Sequence, residues 1–223
     1  DYAFGLFRTD PESSRHKGLS FILVPLDAPG VTVRPIEQLN GLPGFAEIFF
    51  DNVRVSDFNL LGGEGEGWNI AMATAGFERG LMLRSPARFQ QASRRLVELY
   101  RKRRNDILDL SIEDSVVRCY MDAEAYALST YQTASRLVAG GHIGAESSCN
   151  KIFWSELDIR IHETALSLLG ARAEIEPETS EDEAELGSWL DGFLFSQSGP
   201  IYAGTNEIQR NIIAERMLGM PRK

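Results

Sequence analysis

Cysteine and histidine are scarce in this 223-residue chain, and their scarcity excludes several kinds of protein. The two cysteines, Cys119 and Cys149, and the three histidines show none of the spacings of a metal site. Two cysteines also provide no disulfide framework, as is usual in a reducing cytosol. The sequence therefore predicts neither a metal centre nor a disulfide-stabilised secreted fold.

Basic charge is also in short supply, since 23 Lys and Arg stand against 32 Asp and Glu for a formal net charge of −9. Nucleic-acid binding needs clustered cations that neutralise phosphates, so we expect no nucleic-acid partner. No apolar run approaches the roughly 20 residues of a membrane span, and no signal peptide is visible. These absences favour the bacterial cytoplasm, with the mitochondrial matrix as the alternative.

Hydrophobic residues make up 43% of the chain, enough to bury a substantial core. Residues 1–62 carry the short apolar and alternating runs typical of strands, at Phe21–Pro25, Val31–Ile36 and Ala46–Phe50. Later apolar residues recur at helical spacing, near 67–103, 113–139, 143–169, 188–197 and 206–218. Pro86 should kink or divide the first of these helices. We predict an α+β, mainly α, fold with a partial antiparallel β-domain over 1–62 and an antiparallel four-helix bundle over 63–223.

The most informative stretch is Tyr202-Ala-Gly-Thr-Asn-Glu207, which reads as a tight loop leading into a helix that begins near Asn206. Thr205 is placed to cap this helix, whose first N–H groups have no partner within the helix. Unpaired N–H groups at a helix start can bind a phosphate or a developing oxyanion. On residue chemistry alone the stretch is either such a site or simply a capped helix.

A second candidate is Glu78, a carboxylate that stands among small and apolar residues. Helical spacing of four, three and four residues places one set on a single face: Ala71, Ala75, Glu78 and Met82. A carboxylate on such a face is desolvated, which raises its pKa toward the range useful for a general base. The alternative is an ordinary surface ion pair of Glu78 with Arg79.

Together these motifs resemble the acyl-CoA dehydrogenases, flavoenzymes that introduce a double bond α,β to a thioester. Ile201–Lys223 is similar to the C-terminal signature of the family. Glu78-Arg79 occupies the position of the base-bearing pair in the isovaleryl- and long-chain-type members. Phe49–Val55 matches a sequence motif of the family's β-domain. The resemblance covers essentially the whole chain. It implies that 1–62 is the second half of the middle β-domain, and that the family's N-terminal helical domain is absent from these residues.

The resemblance also implies residue roles. Glu78 would remove the α-proton while a hydride passes from the β-carbon to FAD. Where many members carry the catalytic glutamate this chain has Ala203, whose backbone N–H would bind the thioester oxygen. Two further sets of contacts are implied: substrate contacts by Arg79, Tyr202 and Gly204, and FAD contacts by Thr205, Asn206, Glu207 and Gly170.

The two sequence motifs that bind the adenosine end of FAD in many members are poorly matched here. Arg101–Asp114 has neither the Phe-Gly nor the glutamine of the family, and Ser167–Ala173 keeps only Gly170 of the second element. Arg103 or Arg172 is a candidate for the pyrophosphate. The cofactor tail is therefore held either differently or mainly by a partner chain.

The resulting hypothesis is FAD-dependent α,β-dehydrogenation of an acyl-CoA in β-oxidation or other lipid catabolism, with electrons passed to an electron-transfer flavoprotein. Two alternatives stay open: a non-catalytic or half-site subunit of a heteromeric acyl-CoA dehydrogenase, and an acyl-CoA oxidase on the same fold. We also expect a homo- or hetero-oligomer, a dimer or tetramer. The reason is that the adjacent apolar pairs Phe153-Trp154 and Ile212-Ile213 point to different helix faces, and exposed apolar faces mark interfaces.

Overall fold

The structure is a computed structural model that describes residues 1–80, 85–105, 111–174 and 188–222, without the side chains of 75–80 and 188. It contains two compact units, Asp1–Glu78 and Arg79–Lys223. The first is mainly β and the second is helical, so the α+β, mainly α, class is confirmed. The domain boundary expected after residue 62 stays a prediction.

The first unit holds two antiparallel sheets. One has the strand order β1 (Tyr2–Arg8), β2 (Leu19–Pro25) and β5 (Leu60–Leu61), and the other pairs β3 (Val31–Glu37) with β4 (Pro43–Phe50). A 3₁₀ turn, Asp57–Asn59, precedes β5, and helix α1 spans Gly67–Gly80. The three predicted strands are confirmed as β2, β3 and β4. β1 was covered only by the general expectation of strands over 1–62.

Strand β2 is the buried centre of its sheet, where Phe21 and Val24 are enclosed. Ser20 is buried as well, and its Oγ lies 2.6 Å from Oγ1 of Thr9 and accepts from N of Gly65 at 3.0 Å. A Cβ at Gly67 would lie 2.5 Å from N of Phe21, closer than real side chains come. Only glycine therefore allows α1 to begin this close to β2.

The second unit is built on three long helices: α2 (Pro86–Arg103), α3 (Ser111–Val138) and α4 (Ser147–Leu169). They pack against one another, and α5 (Ser188–Ser196) packs on α4 as the fourth helix of the predicted bundle. A 3₁₀ turn follows α4 at Gly170–Glu174, and the α6 helix (Asn206–Ile212) continues into a π turn at Ile213–Met217.

Pro86 stands at the first position of α2, directly after Ser85, where its missing N–H removes no helical bond. α1 and α2 are therefore separate helices, as the proline predicted. Residues 81–84, including Met82 of the proposed Glu78 face, lie outside the described residues. The last turn of α2 carries Arg101, Lys102 and Arg103, whose charges favour its negative C-terminal end.

Helix α4 is buried on two faces of different chemistry. Its apolar face joins the bundle core through Leu157, Ile161, Ala165 and Leu168, as the sequence spacing predicted. A second stripe, spaced four, three and four residues apart, is polar and equally buried: Lys151, Ser155, Asp158 and His162. The polar stripe was not predicted, because helical periodicity alone assigns polar residues to solvent.

The lower part of this stripe is held by ionic and hydrogen bonds. Arg88 of α2 donates from Nη2 to Oδ2 of Asp158 at 2.8 Å, and Asp158 is only 2% exposed. Nδ1 of His162 lies 2.8 Å from the backbone O of Asp158 and 3.4 Å from its Oδ1. A Cβ at Gly192 would lie 2.2 Å from Nε2 of His162, so glycine lets α5 rest on the imidazole.

The adjacent aromatic pair of α4 does not form the exposed apolar face on which we based oligomer formation. Trp154 is buried, and Phe153 is half-buried with its ring stacked on Tyr126 at 6.1 Å between centroids. Ile212 and Ile213 are half-buried. The largest group of exposed apolar side chains in the bundle lies instead along α3, and Leu190 and Phe195 of α5 are exposed as well. The α3 group comprises Val117, Tyr120, Met121, Leu128, Tyr131 and Val138.

The buried imidazole makes stability depend on pH. Burial lowers the pKa of His162 below its usual 6.5, against the opposing effect of Asp158. Because the folded pKa is below the unfolded one, this contribution to stability is complete above about pH 6.5 and is lost as the pH falls below it. When the pH falls from about 7.5 to about 5.5, we expect the free energy of unfolding of His162→Gln to decrease less than that of the unsubstituted chain. Urea unfolding at both values measures this. The exposed His142→Gln is the control, and equal losses in all three proteins would contradict the argument.

Candidate active site

The candidate site is the loop Pro200–Thr205, which connects α5 to α6. The N–H of Asn206 donates to O of Pro200 at 2.9 Å and closes the loop, while N of Tyr202 donates to O of Ser198 at 3.1 Å. Ala203 has a φ of +55° and Gly204 a φ of +85°. Both residues are exposed. The chain therefore passes through two consecutive left-handed residues, of which the first is not glycine.

The backbone N–H of Ala203 makes no hydrogen bond with any of the described residues. The residue itself is exposed, so the loop presents Ala203 to solvent. An N–H fixed in a loop can donate to a carbonyl oxygen on which negative charge develops. The geometry is thus compatible with the role that the resemblance gave to Ala203.

Thr205 caps α6, as the sequence predicted. It has extended backbone angles, and its Oγ1 accepts from N of Ile208 at 3.3 Å. The neighbouring Glu207 is exposed. The pKa of its carboxyl is lowered by its own backbone N–H, by the Thr205 hydroxyl and then by the charges of Arg210 and Lys151. The start of α6 therefore presents an ionised carboxylate beside the loop.

Beneath the loop lies the upper end of the polar stripe of α4. Lys151 donates from Nζ to Oδ1 of Asn206 at 2.8 Å, and the hydroxyl of Ser155 lies 3.2 Å from the same oxygen. Nδ2 of Asn206 donates back to Oγ of Ser155 at 3.1 Å. Burial lowers the pKa of Lys151, while the Glu207 carboxylate opposes this shift and favours the charged form. Asn206, predicted as an FAD contact, is itself 3% exposed and anchors the loop from within.

Gln209 holds the loop from the other side. Its Nε2 donates to O of Ala203 at 3.3 Å and to O of Gly204 at 3.4 Å. Sequence reasoning missed Lys151, Ser155 and Gln209. A sequence signal existed for Gln209, which stands four residues after Thr205. The two residues therefore share one face of α6, and the Cα–Cβ bond of Gln209 tilts toward the start of the helix.

Tyr202 packs as part of an aromatic group. Its ring lies 5.8 Å from Trp154 and 6.4 Å from Phe195, between centroids, and the side chain is half-buried. This placement gives Tyr202 a packing role at the base of the loop. Its contact with substrate stays a prediction.

Glu78 and Arg79 lie in helix α1, which confirms the predicted helical position of the pair. Their side chains lie outside the described residues, so their roles stay predictions. Gly170 ends α4 with a φ of +58°, and a Cβ there would meet no atom within 4 Å. The left-handed φ accounts for this glycine, because glycine adopts it without strain. Its FAD contact stays a prediction.

A cleft of about 830 Å³ opens elsewhere in this unit, between α3 and the second half of α4. It is polar, with the ion pair of Arg160 and Asp122 at 2.7 Å on its wall. Its lining contains none of the residues predicted for the site. The loop donor and this cleft are separate features of the bundle.

Comparison with known proteins identifies the family. Residues 65–218 match the family model described as acyl-CoA dehydrogenase, C-terminal domain. The chain is 38% identical over 226 aligned positions to acyl-CoA dehydrogenase IpdE1 of Mycobacterium tuberculosis, covering 100% of this chain and 56% of that protein. It is 37% identical to IpdE1 of Mycolicibacterium smegmatis, again over the whole chain and over 54% of the relative. The chain belongs to the acyl-CoA dehydrogenase family.

Solved structures agree with this assignment. The Tcur3481-Tcur3483 steroid ACAD superposes with a TM-score of 0.86 at 26% identity, covering 100% of this chain and 57% of that one. A chain of the ChsE4-ChsE5 complex from Mycobacterium tuberculosis gives a TM-score of 0.82 at 27% identity, covering 100% and 58%. The chain thus spans little more than half the length of these relatives. Within the part of the chain that the structure describes, no helix has the length and apolar character needed to cross a membrane.

The left-handed φ of Ala203 gives a stability test. This conformation costs an L-residue about 1–2 kcal/mol, whereas glycine tolerates it and loses about 0.5–1 kcal/mol more chain entropy. We expect Ala203→Gly to raise the free energy of unfolding by up to about 1 kcal/mol. The same substitution at exposed Ala134, inside α3, should lower it by about 1 kcal/mol. Chemical denaturation measures both, and a loss at Ala203 equal to that at Ala134 would contradict the strain argument.

Proposed function

We propose that the protein containing this chain catalyses FAD-dependent α,β-dehydrogenation of an acyl-CoA thioester. The observation that carries the proposal is the N–H of Ala203, which makes no hydrogen bond with the described residues and lies in a left-handed loop within the segment that matches the family model. The relatives are named acyl-CoA dehydrogenases, which supports the reaction class over the acyl-CoA oxidase alternative.

The chemistry needs a base and an oxyanion donor. The α-proton of a thioester is weakly acidic, because its removal puts negative charge on the carbonyl oxygen. We assign that oxygen to the Ala203 N–H, which stabilises the charge as it develops. Glu78 is the base that takes the proton. Replacement of the family's usual glutamate by Ala203 leaves the backbone donor in place and moves only the carboxylate.

The residues at the start of α6 fit the polar part of a flavin. Thr205 offers a hydroxyl, Glu207 a carboxylate and Gly204 an exposed backbone beside them. When bound, FAD would supply the acceptor for the β-hydride. Electrons would then leave to an electron-transfer flavoprotein. Peroxide production in air, without that acceptor, would instead indicate an oxidase.

Substitution of the proposed base tests the mechanism. In the native enzyme we expect Glu78→Gln to lower the rate of flavin reduction by about 10²–10⁴-fold, as is usual for loss of a general base. Anaerobic stopped-flow mixing with a panel of acyl-CoAs, including steroid side-chain thioesters, measures this rate. Flavin content and circular dichroism should not change, and the exposed Glu64→Gln serves as the matched control. A near-normal rate in Glu78→Gln would show that the base is elsewhere.

A second candidate is a half-site subunit of a heteromeric dehydrogenase. The poorly matched adenosine-binding motifs support it, since Ser167–Ala173 keeps only Gly170 of the family's second FAD element. Two of the solved relatives carry pairs of chains in their names, Tcur3481-Tcur3483 and ChsE4-ChsE5. The exposed apolar side chains of α3, such as Leu128 and Tyr131, offer a surface for a partner chain.

Mass and flavin content distinguish these arrangements. We expect the native protein to be a dimer or tetramer, with fewer than one FAD per chain if its partner is an unlike chain. Native mass spectrometry together with flavin absorbance gives both numbers. A monomer with one tightly bound FAD would contradict oligomer formation. A homotetramer with one FAD per chain would contradict only the heteromeric candidate.

A further inference from the structure

The fold encloses the cation of Lys151 completely, with 0% of the residue exposed. Its Nζ donates to the neutral amide of Asn206 at 2.8 Å and lies 5.9 Å from the ring centroid of Trp154. Removing an ammonium from water is costly, and an apolar side chain of the same length would fill this space without that cost. The charge therefore does something that packing alone does not require.

The Lys151 cation fixes Asn206, the residue that closes the loop. Asn206 holds the loop through its backbone N–H, which donates to O of Pro200 at 2.9 Å. Its side chain is gripped on both polar atoms, by Lys151 at Oδ1 and by Ser155 at Nδ2. The amide of Asn206 can thus take one orientation only, and the loop closure is fixed with it.

Gln209 makes the complementary contact. It is 4% exposed and donates to the carbonyls of both left-handed residues, Ala203 and Gly204. Its Oε1 is buried and accepts no hydrogen bond from the described residues. The amide nitrogen of Gln209 therefore ties two successive carbonyls of the loop to α6.

The conformation that these anchors impose is itself unfavourable. A φ of +55° at Ala203 is uncommon for a residue with a Cβ. Such a conformation persists only where the surroundings over-determine it, and it concentrates at functional sites. Here the surroundings are Lys151 with Asn206 below the loop, and Gln209 beside it.

We propose that Lys151 and Gln209 are positioning residues for the reaction: they hold the Ala203 peptide so that its N–H meets the thioester oxygen. This inference rests on the proposed function. Lys151 acts through Asn206, and Gln209 acts through the carbonyls of Ala203 and Gly204. Neither side chain is assigned a contact with substrate.

The test compares ligands that differ only in the carbonyl oxygen. Gln209→Met keeps the length of the side chain and Lys151→Met shortens it only by the terminal nitrogen, and both remove the donor groups. Lys17→Met and Gln132→Met are matched controls at exposed positions. Each variant is combined with Glu78→Gln, so that the thioester binds without reducing the flavin, and is titrated calorimetrically with octanoyl-CoA and with S-octyl-CoA, the thioether that lacks the carbonyl. If the acyl-CoA panel gives a better substrate, the corresponding pair is used. The infrared stretch of the bound thioester carbonyl is measured in the same proteins, and kcat is measured in those that retain Glu78.

A positioning role predicts a selective loss. Affinity for the thioester should fall by about 3–10-fold, the worth of one hydrogen bond, while affinity for the thioether stays within about twofold. The carbonyl stretch should move toward its value in free solution, and kcat should fall by about 10²-fold. The two control variants should match the unsubstituted enzyme.

Parallel loss of both affinities would overturn the proposal, because it would show a structural role only. Unchanged discrimination between the two ligands would overturn it as well. If Lys151→Met does not fold, Gln209→Met decides, since it leaves the buried cation paired with Asn206. Failure of the proposed function looks different: the unsubstituted enzyme would then bind thioester and thioether equally and show no flavin reduction.

Discussion

The arrangement of the helical unit depends on α4, whose burial on two sides forces its polar residues to find partners inside the protein. Lys151, Ser155, Asp158 and His162 are all enclosed, and each is met by a group from another element or from its own turn. Burial of polar groups is tolerated only when such partners exist. These polar partners therefore fix the positions at which α5, the loop and α6 pack on α4.

This constraint links the core to the site. The apolar face of α4 fixes its place in the bundle, and the polar face then fixes what lies outside it. At one end Asp158 pairs with Arg88 and His162 supports Gly192. At the other end Lys151 grips Asn206. The strained loop is thus tied to the most deeply buried helix of the unit, which explains how an L-residue is held at a positive φ on an exposed turn.

Several elements followed directly from the sequence. Alternation and short apolar runs located β2, β3 and β4, and the spacing of Leu157 and Ile161 located the core face of α4. Pro86 marked a break between helices because it lacks an N–H, and Thr205 marked a helix start because it supplies a capping oxygen. These signals are local, so they do not depend on what the rest of the chain does.

The loop motif and the helical place of Glu78 were also legible in the sequence, and the family assignment has been confirmed by comparison. Other features were decided only by tertiary structure. The polar stripe of α4 reads as a solvent-facing side until α5 and α6 cover it, and Phe153-Trp154 reads as an exposed pair until the bundle closes around it. Lys151 and Asn206 are far apart in sequence, so no local pattern could pair them. Periodicity states which residues share a face, whereas only the packed neighbours decide whether that face meets water.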